Sequence, residues 1–175
     1  MPVKKTIAII DAMEKRGAEI ANKLSPGDYR LLLFSNYKTR LTQLLRQLKK
    51  NSLNTDADIM DCAKDGCWEA DIIILDIIPD TEKDVADKIK EVATQKIVLS
   101  ISNNEKGNLF PFKTAQQLQS LLPFSKVVAA YNNPQSGETF IAGDDDESVE
   151  TVSTILKTAG YRIVAGDSLS TIKSL

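Results

Sequence analysis

The chain has 175 residues, of which 42% are hydrophobic and 26% charged, and it carries a formal net charge of -2 with a pI near 5.3. That length and balance suit one globular domain with a full core, so we expect residues 1–175 to form a single domain. The slightly acidic balance argues against nucleic acid as the main partner, because domains that bind nucleic acid usually carry a basic face.

The start of the chain and its cysteines predict the compartment. The first apolar strand begins almost at Met1, which leaves no room for a signal peptide, and no apolar stretch approaches the roughly 18 residues of a membrane span. Cys62 and Cys67 match no zinc or redox spacing, and the chain has no histidine to complete a metal site. We interpret both as buried, reduced thiols. The sequence therefore predicts a cytoplasmic protein with no membrane segment and no metal.

Short apolar runs alternate with longer amphipathic stretches along the chain. In order, the pattern predicts a strand at 6–10, a helix at 15–24, a strand at 29–34, a helix with leucines at 41, 44, 45 and 48, a strand at 57–60, a short helix at 62–69, a strand at 71–78, a helix from Asp80, a strand at 96–101, a helix at 114–122, strands at 126–130 and 139–142, a helix at 147–158 and a strand at 161–164. This alternation predicts an α/β fold with a doubly wound, mostly parallel sheet and helices on both faces, as in NAD(P)-binding Rossmann domains.

The loop after the first strand is the expected phosphate site of such a sheet. It is normally rich in glycine, so that backbone amides and the next helix can approach a pyrophosphate. Here the loop reads Asp11-Ala12-Met13-Glu14-Lys15-Arg16-Gly17 and keeps only its last glycine. Each carboxylate repels a phosphate by on the order of 1 kcal/mol at ~4 Å, Met13 adds bulk, and Lys15 and Arg16 could offset the repulsion by pairing with phosphate oxygens.

The loop after the second strand contacts the ribose end of a dinucleotide. An enzyme that uses NAD places a carboxylate there for the 2′-hydroxyl. This chain has Ser35-Asn36-Tyr37-Lys38-Thr39-Arg40, with no carboxylate and two cations. That composition suits the 2′-phosphate of NADP, with Tyr37 able to stack on adenine. An equally open alternative is that Ser35 or Thr39 caps the next helix while Lys38 and Arg40 are solvated.

Further polar or terminal residues fall at the ends of later strands. Ile78 and Pro79 close the fourth strand and complete the candidate cofactor-binding set. Asn103-Asn104 and Asn132-Asn133 follow the fifth and sixth strands and could contact a ligand, although asparagine pairs more often form turns. The acidic run at 143–147 is interpreted as a helix N-cap with acids in the first turn rather than as a metal cluster.

Several stretches together resemble the NADP reductases that use coenzyme F420, a deazaflavin. They are the opening strand, loop and helix, Lys96-Ile97-Val98-Leu99-Ser100, residues 115–118 through 126–130, Ala142-Gly143-Asp144-Asp145-Asp146-Glu147-Ser148, Gly160-Tyr161-Arg162 and Ala165-Gly166. The resemblance covers nearly the whole chain in order. It implies a Rossmann-type NADP-binding fold and hydride transfer between NADP(H) and a second cofactor or small acceptor, with the two cofactors carrying the chemistry.

The chain departs from that family at the two loops that grip NADP. The family's first loop, Gly-Gly-Thr-Gly-x-x-Gly, aligns without gaps onto residues 11–17, and its Ser-Arg after the second strand becomes Ser35-Asn36, where Lys38 or Arg40 could replace the arginine. The family also continues into a helical segment that helps form the deazaflavin site, whereas this sequence ends at Leu175, so we expect coenzyme F420 not to be fully bound. A homodimer would cover the apolar surface that a missing helix exposes.

Three functional hypotheses follow. The first is an NADP-dependent oxidoreductase, completed by a partner subunit or a smaller hydride acceptor, with residues 11–17, Ser35, Tyr37 and Lys38 binding the cofactor. The second is a non-catalytic Rossmann-like module that has lost the cofactor and acts through protein contacts. The third rests on Asp76, whose strand resembles the phosphoacceptor strand of response-regulator receivers; a receiver also needs paired acids after strand one, and Asp11 is followed by Ala12.

Overall fold

The computed structural model describes residues 3–12, 14–76, 78, 81–103, 110–166 and 168–169. Over these residues the order of elements is β1 (Lys5–Ile10), α1 (Lys15–Leu24), β2 (Tyr29–Phe34), α2 (Lys38–Asn51), β3 (Asp56–Ile59), α3 (Ala63–Glu69), β4 (Ile72–Asp76), α4 (Glu82–Ile89), β5 (Ile97–Asn103), α5 (Phe110–Leu121), β6 (Lys126–Asn132), β7 (Glu138–Gly143), α6 (Asp146–Thr158) and β8 (Arg162–Ala165). None of the described helices is long and apolar enough to cross a membrane.

The strands form one eight-stranded sheet in the order β3-β2-β1-β4-β5-β6-β7-β8. All neighbouring pairs are parallel except β6 and β7, which are joined by a short antiparallel connection. The order reverses beside β1, as in doubly wound dinucleotide-binding sheets. The predicted fold class is therefore confirmed. A receiver sheet has the order 2-1-3-4-5, so the receiver hypothesis is wrong on topology.

Helices cover both faces of the sheet. Because successive residues of a strand point to opposite faces, Ile9 and Ile74 face α1, α2 and α6, whereas Ala8 and Ile73 face α3, α4 and α5. The central strand β4 is buried on both faces, which explains its unbroken run of isoleucine and leucine. This arrangement brings the first turns of α1 and α2 to the carboxyl edge of the sheet.

Several predicted boundaries need correction. The fourth strand was predicted to run to Ile78 but ends at Asp76, and Ile78 is 57% exposed, because a run of apolar residues does not by itself mark where pairing ends. Asn103 and Asn132 are the last residues of their strands rather than parts of the loops that follow. Cys62 is exposed at the start of α3 and only Cys67 is buried, so the prediction of two buried thiols is wrong for Cys62.

The acidic run before α6 was predicted to be a helix start, and that prediction is confirmed. Asp145 is the N-cap, and its Oδ1 accepts the backbone N–H of Ser148 at 2.9 Å. Asp146 and Glu147 follow in the first turn, where carboxylates are favoured by the helix dipole. The hydrogen bonds from Ser148 also hold the pKa of Asp145 below its ordinary value. The run therefore has a structural role at this helix.

Candidate functional site: two helix N-termini at the carboxyl edge

The loop between β1 and α1 is tightly folded against β2. Asp11 adopts a left-handed conformation with φ of 56°, and its carbonyl oxygen accepts the N–H of Glu14 at 2.9 Å. Ala12 is fully buried and donates its N–H to the carbonyl oxygen of Phe34 at 3.0 Å. These bonds occupy backbone groups of the loop and hold it in place without the missing glycines.

Gly17 is the one glycine of this loop that the packing requires. A Cβ at this position would lie 2.8 Å from the carbonyl oxygen of Asp11 and 2.9 Å from the Cα of Ala12. Both neighbours are backbone atoms that cannot move aside cheaply. Gly17 therefore allows α1 to lie close to the loop, which is the packing role of the last glycine in the dinucleotide-binding fingerprint.

The N-terminus of α1 already holds an anion from within the chain. Asp76, the last residue of β4, accepts the N–H of Gly17 at Oδ2 (3.1 Å) and the Nε–H of Arg16 at Oδ1 (2.7 Å). The Asp76 side chain is 1% exposed and that of Arg16 is 25% exposed, so this is a largely buried ion pair. A carboxylate thus takes the favourable position at the helix dipole where a dinucleotide fold usually offers amides to a phosphate.

Further negative charge gathers around this carboxylate. Burial raises the pKa of Asp11 above its ordinary value, and the nearby carboxylates of Glu14 and Asp76 raise it further, while Lys88 acts in the opposite direction. Lys15 is exposed at the start of α1, and Arg16 is already committed to Asp76. A pyrophosphate placed here would meet Asp76 and lose the pairing that Arg16 would otherwise supply.

The N-terminus of α2 differs from that of α1 in that no carboxylate of the described residues is bonded to its amides. As at α1, the N-cap residue, here Tyr37, makes no side-chain capping bond, and no acid stands in the first turn. Ser35 is buried, and its Oγ accepts the N–H of Tyr37 at 3.2 Å, which shapes the turn rather than caps the helix. The alternative in which Ser35 or Thr39 caps α2 is therefore wrong in its capping residue, whereas its second part is confirmed, because Lys38 and Arg40 are exposed. The first amides of this helix remain available for an anion.

Exposed aromatic and cationic side chains surround that helix start. Tyr37 is 58% exposed, and the Arg40 guanidinium lies 5.6 Å from its ring centroid. Lys38 Nζ lies 3.0 Å from Oδ1 of Asp61, but both side chains are well exposed, so this pair is weak and its cation can turn to another anion. The arrangement offers an aromatic face and two cations beside unoccupied helix amides.

The structure therefore divides the predicted site into two groups. It brings Asp11, Ala12, Lys15, Arg16 and Gly17 to α1, and Ser35, Asn36, Tyr37 and Lys38 to α2. Met13 and Pro79 lie outside the described residues, and Ile78 is exposed beyond β4.

Sequence reasoning named Asp76 only in the receiver hypothesis and gave it no role at the nucleotide site. The available signal was a single acid inside a strand that is otherwise apolar and buried on both faces. Such a residue needs a partner, and a helix start and an arginine are the usual ones.

Comparisons with known proteins give the fold only. No family model and no curated protein matches the sequence. Among solved structures, a protein assigned as an F420-dependent NADP reductase from Arthrobacter sp. FB24 is 15% identical, with a TM-score of 0.71 over 94% of this chain and 86% of its own. Mycobacterium tuberculosis 3-hydroxyisobutyrate dehydrogenase is 12% identical (TM-score 0.73, 95% and 55%), and a Streptomyces aurantiacus imine reductase is 14% identical (0.69, 93% and 56%).

The chain spans about half the length of the last two enzymes and most of the first. It therefore shares the doubly wound α/β fold of these three proteins over the part that they have in common. At these identities the likeness carries no statement about activity, which has to be argued from the residues themselves.

Proposed function

We propose that the chain is an NADP(H)-binding protein of the oxidoreductase type that grips the cofactor chiefly by its 2′-phosphate end. The observation that supports this most directly is the start of α2, which combines unoccupied amides, the cations Lys38 and Arg40, and the exposed ring of Tyr37. A phosphate monoester is favoured at such a helix start, and an adenine ring can lie on a tyrosine. The absence of an acid in this first turn favours NADP over NAD.

The residues around α1 fit the remainder of the cofactor less well. The pyrophosphate half would have to displace the Asp76 carboxylate or lie further out along Lys15. NADP(H), when bound, supplies the hydride, and the protein aligns it with an acceptor. We propose that the acceptor is a small molecule or a second cofactor, and that a partner chain or a second copy of this chain completes its binding site.

The single-domain organisation of residues 1–175 also stays a prediction.

Thermal shift and isothermal titration with NADPH test this proposal. We expect saturable binding by NADPH at micromolar to low-millimolar concentration and weaker binding by NADH, since only NADPH carries the 2′-phosphate. Two matched variants are compared with the parent. Lys38→Gln at the start of α2 should weaken NADPH binding, whereas Lys50→Gln at the end of α2 should not. Absence of binding by either nucleotide at millimolar concentration would exclude the proposal.

A second candidate is favoured by a specific observation, the closure of the α1 site by Asp76. In that case the chain is a Rossmann-like module that binds no dinucleotide and acts through contacts with other proteins. The variant Asp76→Asn separates the two candidates, because it keeps an oxygen for the Gly17 N–H and removes the negative charge. We expect NADPH to bind this variant more tightly than the parent if the chain is a nucleotide-binding protein. If neither form binds NADPH, the module is the better description.

A further inference from the structure

A second pocket lies on one face of the sheet between α1 and α6. Its cavity volume is about 40 Å³, which is room for about three water molecules or a very small organic molecule, and its mouth opens to solvent. Its apolar wall is formed by Ile20, Ile101, Ala130 and Leu156. These side chains come from α1, β5, β6 and α6, so the pocket is built by elements that are distant in the sequence. It does not include the start of α2, where we place the nucleotide.

Two buried polar groups lie side by side in this pocket. Asn132 and Thr139 are directly paired across the antiparallel strands β6 and β7 and both line the cavity. Asn132 Oδ1 and Thr139 Oγ1 are buried, and neither has a hydrogen-bond partner among the described residues. Thr139 as a whole is 4% exposed. Buried polar atoms are rarely left unpaired in folded proteins, because the lost hydration is not recovered.

The charged side chains at the rim are already paired. Arg16 binds Asp76, while Glu19 forms an ion pair with Lys23 at 3.1 Å and accepts the hydroxyl of Tyr161 at 3.5 Å. Lys23 also lies 3.8 Å from the centroid of the Tyr161 ring, which holds this group together. A charged guest would have to compete with these existing partners, most strongly with the largely buried pair of Arg16 and Asp76. Asn132 Oδ1 needs a hydrogen-bond donor, and Thr139 Oγ1 needs a donor or an acceptor; a neutral molecule can supply both.

We propose that this pocket binds a small, neutral molecule with a short branched apolar body and a primary amide or hydroxyl head. The head donates a hydrogen bond to Asn132 Oδ1 and exchanges one with Thr139 Oγ1, while the body packs against Ile20, Ile101 and Leu156. This site is separate from the proposed nucleotide grip, and its test uses no nucleotide. Failure of one therefore leaves the other standing.

Isobutyramide is a suitable probe. Its binding is measured by ¹⁵N-edited NMR of the Asn132 side-chain amide and by thermal shift. We expect a saturable millimolar response to isobutyramide and a clearly weaker one to N,N-dimethylisobutyramide, which has no N–H to donate, and to isobutyrate, which is charged. An equal response to all three, or no response to isobutyramide, would overturn the proposal. In the latter case the pocket holds only water.

Two variants make the test independent of overall stability. Thr139→Val and Ser100→Ala each remove a buried hydroxyl that has no partner among the described residues, but Ser100 does not line this pocket. We expect each variant to raise the Tm of the free protein by about 2–4 °C. Only Thr139→Val should abolish the response to isobutyramide. If Thr139→Val binds the probe as well as Ser100→Ala does, the assignment of Thr139 is wrong.

Discussion

The starts of α1 and α2 lie at the same edge of the sheet and solve the same physical problem in different ways. Each helix begins with amides that lack intrahelical partners. Neither helix has a capping side chain or an acid in its own first turn. At α1 the chain supplies an anion, Asp76, from the adjacent strand, whereas the start of α2 receives none from the described residues. The helix α6 supplies a third solution, a cap from its own Asp145. An intramolecular anion stabilises the fold, and an unoccupied helix start leaves room for a ligand.

The largest effect in this comparison is expected from Asp76→Ala. Removing the carboxylate leaves the Gly17 N–H and the partly buried Arg16 without their acceptor, so we expect the free energy of unfolding to fall by about 3 kcal/mol. Urea unfolding measures this loss. The control is Asp61→Ala, which removes an exposed carboxylate paired with Lys38 at α2 and should change stability by less than about 0.5 kcal/mol. Equal losses would mean that Asp76 is not an internal anion for α1.

Gly17→Ala tests whether α1 needs its close approach to the loop. The added Cβ would clash with backbone atoms of Asp11 and Ala12, so we expect a loss of about 2 kcal/mol despite the better helix propensity of alanine. Gly66→Ala in α3 is the matched control, because its nearest neighbour is the flexible Cγ of Met60 at 3.2 Å. That control should be close to neutral, and a similar loss there would show that the Gly17 clash is not specific.

Lys38→Gln affects binding at α2 rather than stability. If the 2′-phosphate lies at this helix start, the loss of one cation should weaken binding of adenosine 2′,5′-bisphosphate by about tenfold, as isothermal titration would measure. Lys50→Gln, at the opposite end of the same helix, should leave the affinity unchanged. An identical affinity for the parent and Lys38→Gln would place the phosphate elsewhere.

The smallest effect is expected from Asp11→Asn, and its sign depends on pH. Burial raises the pKa of Asp11 in the folded chain above its ordinary value. The protonated carboxyl therefore stabilises the folded state relative to the ionised one. This contribution is lost as the pH rises from the ordinary carboxyl pKa through the raised one. Asparagine tolerates the left-handed backbone equally well and carries no charge. We expect Asp11→Asn to gain about 1–2 °C in Tm at neutral pH, and this gain to disappear in acid. A gain that persists at low pH would exclude the electrostatic cause.

Much of the fold could be predicted from the sequence, because strands buried on both faces show continuous apolar runs and helices show a clear amphipathic spacing. The bounds of α1 and β2 were predicted correctly for this reason. The end of β4 was not predicted correctly. Asp76 is paired within the sheet and buried whereas Ile78 lies beyond the strand and is exposed, and the apolar composition of the run does not show this difference.

The division of the site needed the structure. The loss of glycines from the first loop is visible in the sequence. The binding of Asp76 at the start of α1 is not, because it depends on a contact between residues 59 positions apart. Likewise, Asn132 and Thr139 form a pair only because β6 and β7 are antiparallel neighbours. Spacing along the chain predicts helices and strands well, but it predicts contacts between residues of different elements poorly.

The most direct measurement compares the affinities of NADPH and adenosine 2′,5′-bisphosphate for the same protein. The second compound keeps the 2′-phosphate and the adenine but lacks the pyrophosphate link to nicotinamide. Because the α1 start holds Asp76 and the α2 start is free, we expect the two affinities to agree within about tenfold, with NADH binding far more weakly. An NADPH affinity several orders of magnitude above that of the bisphosphate would contradict the closure of the α1 site.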